Sequence, residues 1–125
     1  KEVDMGGNVR ITGGAAAASY GGDVTVMTGF SESTSSGDMT IGTADAGFYG
    51  VSGSMLAFTG NSTAGDSGSV SVSTGMATGG AGGDVSLYVG PGDIGNGGDL
   101  IATAGITSAR NSLGGDVVVS AGEAT

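Results

Sequence analysis

From Gly82 the chain reads GGDVSLYVG, with apolar residues at every second position: Val85, Leu87 and Val89, separated by Ser86 and Tyr88. The same alternation runs through GGDVTVMTG from Gly21, SGDMTIGTA from Ser36, SGSVSVSTG from Ser67 and GGDVVVSAG from Gly114. Aligned on the opening Gly-Gly or Ser-Gly, eight copies begin at positions 6, 21, 36, 52, 67, 82, 97 and 114, at intervals of 15 to 17 residues. The fourth position is always Val, Met or Leu, and the sixth always Ile, Val, Leu or Ala, whereas the fifth is mixed. A period of two is the signature of a strand with one covered and one open face. The ninth position is Gly in every copy except Ala44, which points to a tight corner there.

A strand of about five residues recurring once per 15-residue unit cannot cover its own apolar face. Stacked copies would cover it for one another, and repetition at this period is how repeat architectures announce themselves. The spacing therefore predicts an all-β fold, a β-solenoid (β-helix) of about eight rungs, with residues 1–125 forming a single segment of a longer array or filament. A Greek-key sandwich would not hold one register over eight copies. A bundle of polyglycine-type helices would need glycine at every third residue, and GGDVTVMTGFSESTSS breaks that rule. The returns between strands (AAAAS, SESTS, MATGG) consist of small residues, as a narrow coil requires.

Composition sharpens this picture. The 29 glycines are about three times the usual share, and one proline without a three-residue glycine period excludes collagen. Twelve acids against three bases give a net charge of −9. Nucleic acid is therefore not an expected partner, because neutralising phosphates needs Lys and Arg. With neither Cys nor His, disulfides, thiolate sites and imidazole chemistry do not arise. No apolar run is long enough for a membrane span. The chain opens on Lys1, and KEVDM (1–5) reads as the tail of a preceding repeat, with Met5 matching Leu113 of the 17-residue copy. The expectation is a mature or excised segment that joins other copies head to tail and along its sides.

The third position carries Asn8, Asp23, Asp38, Ser54, Ser69, Asp84, Asp99 and Asp116. What Asn, Asp and Ser share is the capacity to accept hydrogen bonds from turn amides, so Asn8, Asp23, Asp38, Asp84, Asp99 and Asp116 are read as a structural turn ladder. Stacked carboxylates also suit calcium, but Ser at two places weakens that reading, and no cofactor is expected. GGAGGDVSL (79–87) is similar to the nine-residue calcium repeat of bacterial toxins only once and with Ser86 at its apolar position. GPGDIG (90–95) satisfies G-x-G-x-x-G but leads into no helix. Thr28, Thr43, Thr59 and Thr74 share the eighth position, yet no copy carries Thr at both outward positions as a flat ice-binding face needs. Met27, Leu56, Phe58, Tyr88 and Ile101, at the fifth and seventh positions, are candidate lateral contacts. Asn61-Ser62-Thr63 is an N-glycosylation acceptor triplet within a return. Carboxylates alone, with almost no Lys or Arg to stabilise developing negative charge, make an enzyme unexpected.

SGSVSVSTGMATGGAGGDVSLYVG (67–90) resembles the tandem S/G-G-x-V-x-φ-x-T/S-G repeats of large secreted or cell-surface proteins of diatoms and other microalgae. The resemblance implies an extracellular, glycosylated, fibrous role and carries no functional residues with it. The expected function is thus a structural or adhesive segment at the cell surface. The alternative is a binding module that grips ice or polysaccharide with a flat solenoid face.

Overall fold

The computed structural model describes residues 5–124, so residues 1–4 of the expected preceding repeat lie outside it. Among the described residues there is no helix, strand or sheet. The chain is therefore not an all-β solenoid or β-helix, and the alternation does not produce stacked strands.

The hydrogen bonds show why. Stacked strands need a ladder of N–H···O=C bonds running along the alternating segment. The backbone bonds between repeats are instead single: Gly22 N–H to the Gly14 carbonyl at 2.8 Å, Gly37 to Gly29 at 3.0 Å, and Gly115 to Gly105 at 2.9 Å. Each sits at the edge of the alternating segment. Fixing one residue's backbone costs about 1–2 kcal/mol, and glycine loses the most freedom. A repeat rich in Gly, Ser and Ala offers only two dependable apolar side chains against that cost. Alternation is necessary for a half-covered strand but does not by itself form one.

The period nevertheless survives as shape. The described chain bends or turns at 17–19, 32–34, 48–49, 63–65, 78–80, 93–95 and 109–111. Successive bends start 15 or 16 residues apart, one in each return. After each bend the chain comes back on itself, so that the second glycine of a repeat meets the eighth or ninth residue of the repeat before.

Two units make up the chain, Lys1–Phe58 and Thr59–Thr125, divided within the repeat that starts at Ser52. In the first unit, Gly22 lies against Gly14, Gly37 against Thr28, and Gly53 against Thr43. In the second, Gly68 lies against Thr59, Gly83 against Thr74, Gly98 against Val89, and Gly115 against Ala104 and Gly105. All seven junctions between repeats are closed in this way.

No described residue is buried, and only Ser31 and Ala104 are even half-buried. The accessible area is 13081 Å² for 11.7 kDa, more than twice the roughly 5,900 Å² of a compact domain of that mass. A trace of the alternation persists: Val24 and Val85 at the fourth position are 55% exposed, against 82% for Met27 and 84% for Tyr88 at the seventh. From the second repeat onward the fourth position is slightly sheltered, whereas Val9 in the first is 91% exposed, and neither face of any described segment is covered.

Candidate functional site

The recurring closure is the best-defined local geometry in the molecule. A Cβ added to Gly53 or Gly68 would stand 3.4 Å from the γ-methyl of Thr43 or Thr59, and one on Gly83 would stand 3.6 Å from that of Thr74. On Gly98 it would lie 2.9 Å from Val89 Cγ1, and on Gly22 it would lie 2.8 Å from the backbone nitrogen of Gly14. Close approach thus requires glycine at Gly22 and Gly98, whereas at Gly53, Gly68 and Gly83 an added Cβ would make only an ordinary van der Waals contact. The ninth glycine, read from the sequence as a tight corner, is different. Gly14, Gly29, Gly60, Gly75, Gly90, Gly105 and Gly122 all have open space where a Cβ would go, and none has a positive φ.

The threonines of the eighth position supply the other half of the closure. Thr59 Oγ1 donates to the Gly68 carbonyl at 3.1 Å, holding the ends of the loop 59–68 together. The remaining side-chain hydrogen bonds among the described residues shape returns. Ser31 Oγ accepts from the Thr34 amide at 3.1 Å and, more distantly, from the Ser33 amide at 3.4 Å. It also shares a hydrogen bond with the Thr34 hydroxyl at 2.9 Å. Thr107 Oγ1 accepts from the Ala109 amide at 3.1 Å, and Asn111 completes this longest return with φ of 61°. Asparagine is among the few side chains that adopt this left-handed conformation readily.

The ladder residues Asn8, Asp23, Asp38, Asp84, Asp99 and Asp116 are exposed. Among the described residues no group of three or more Asp or Glu gathers as a metal site would require, and the described surface contains no cavity. The expected lateral contacts Met27, Leu56, Phe58, Tyr88 and Ile101 are exposed, and so are the fourth- and sixth-position residues expected to fill a core, such as Val9, Ile11, Val72 and Leu87. Both faces of every alternating segment are consequently open to a partner. Asn61 lies two residues before the bend at 63–65, inside the loop that Thr59 closes.

Sequence reasoning passed over one further feature. In the only 16-residue copy, Gly50 N–H donates to the Gly47 carbonyl at 3.1 Å. Phe48 and Tyr49 form the tip of this turn, their rings 5.0 Å apart and 79° to each other. The signal was available in the sequence: an extra residue, with two aromatics bracketed by glycines.

No protein family, curated protein or solved structure matches the chain. No helix among the described residues is long and apolar enough to cross a membrane.

Proposed function

We propose that the chain is a structural, adhesive repeat segment of an extracellular protein, and that it works by associating with further copies of itself, side by side and end to end. The observation that carries this reading is the exposure of every apolar column. Apolar side chains recur at a fixed position in all eight repeats, and the chain that bears them covers none of them. Apolar area removed from water is worth about 25 cal/mol per Å², so these columns are a standing drive toward association. A second copy presents the same residues at the same spacing, which lets many weak contacts form in register. The acidic surface keeps dilute chains apart.

The alternative of a flat solenoid face for ice or polysaccharide needs a sheet to carry that face. The described residues form none, and that alternative is not proposed.

Sedimentation velocity over a concentration series tests the reading, with Val24→Ser, Val70→Ser, Val85→Ser and Val117→Ser combined as the comparison. Association that grows with concentration and falls sharply in the combined variant is expected. A chain that stays monomeric throughout, or a variant that associates equally well, would sink the proposal.

A further inference from the structure

We infer that Asn61 is a glycan acceptor, its side-chain amide taking an oligosaccharide from a lipid-diphosphate donor. The inference rests on the extracellular placement proposed above, because only a chain that crosses a secretory membrane meets the transferase.

Among the asparagines, only Asn61 has the required hydroxyl residue two positions on with no proline between. Asn8 is followed by Val9 and Arg10, Asn96 by two glycines, and Asn111 by Ser112 and Leu113. The acceptor peptide must bend and stand clear of the body of the protein to enter a transferase. Residues 61–63 do both. Asn61 and Ser62 are exposed and lead directly into the bend that starts at Thr63. The Thr59–Gly68 hydrogen bond holds the loop's ends together on either side of the triplet, so the acceptor projects as a tethered loop. Neither the Asn61 amide nor the Thr63 hydroxyl is engaged in a hydrogen bond with another described residue, leaving the hydroxyl available to orient the amide. In the transfer, the Asn61 amide nitrogen forms a bond to the anomeric carbon of the donor sugar. The bond from that carbon to the diphosphate oxygen breaks with its electron pair, and the amide proton passes to a base of the transferase. Glycosylated chain and lipid diphosphate are the products, and nothing is oxidised or reduced.

The test is translocation of the full chain, fitted with a secretory leader and a C-terminal tag carrying its own acceptor triplet, into microsomes. The assay supplies the lumen, so its outcome does not depend on where the protein resides in its own cell; that placement is tested separately by locating the native protein. Glycosidase-sensitive modification of both chain and tag is expected in the wild type and in Thr63→Ser. Modification of the tag alone is expected for Asn61→Gln and Thr63→Ala. A wild-type chain whose tag is modified while Asn61 stays bare would overturn the inference.

Discussion

At the scale of single residues, the two glycines that mark this chain do different work. Those at the second position lie where the chain returns against the preceding repeat, and at Gly22 an added Cβ would press on backbone 2.8 Å away. Backbone cannot rotate aside as a side-chain end can. Gly22→Ala is therefore expected to remove the hydrogen bond to the Gly14 carbonyl, whereas Gly29→Ala, placed in open space, leaves the hydrogen bond from the Gly37 amide to its carbonyl in place. Amide exchange and the temperature dependence of amide shifts at positions 22 and 37 would separate the two outcomes. Equal behaviour of both variants would contradict the assignment. Gly79 and Gly95, with φ of 83° and 86°, depend on glycine for another reason, since their backbone lies where a Cβ is strained.

At the scale of the repeat, the unit is a closed loop joined to an exposed alternating segment. Thr59 contributes one side-chain hydrogen bond to such a closure, and an exposed bond of this kind is worth about 1 kcal/mol or less. Thr59→Val keeps the branched shape and loses the hydroxyl. The population of closed loop should then fall by up to about fivefold, read from the contact between residue 59 and Gly68 by NMR. Thr59→Ser should retain most of the closure, and a fully closed Val variant would show that the methyl contact alone suffices. This scale also shows what the sequence made legible. The period, the repeat starts and the single return per repeat could all be read from the alignment of Val24, Met39, Val70 and their counterparts. The absence of a sheet could not. Alternation reports which residues would share a face, whereas strand formation depends on whether burying that face outweighs the ordering of many glycines and serines. The closure was overlooked for a related reason. A glycine needed for close approach and a glycine at an open corner are the same letter, and only the contacts of Gly22 and Gly60 tell them apart.

At the scale of the whole molecule, a chain with no buried side chain among its described residues offers no core to melt. The dilute protein is expected to show neither helix nor strand signal in far-ultraviolet circular dichroism, and no cooperative transition on heating, because cooperative unfolding requires a large area exposed at once. A sharp thermal midpoint in the monomer would refute this. Association is expected to strengthen as salt rises, since the net charge of −9 opposes contact between copies and is screened within about 10 Å at 0.1 M ionic strength. Light scattering along a salt series checks the sign. The repeated closures also have a mechanical consequence for a chain that bears load. A loop of about nine residues extends to roughly 30 Å when pulled straight, yet its ends are held by no more than a hydrogen bond and a methyl contact at junctions such as Thr59–Gly68. Each junction therefore stores slack behind a weak latch. A fibre built of such chains would lengthen by releasing loops one after another under small forces and recover as they close, behaving as an elastic tether rather than a stiff rod.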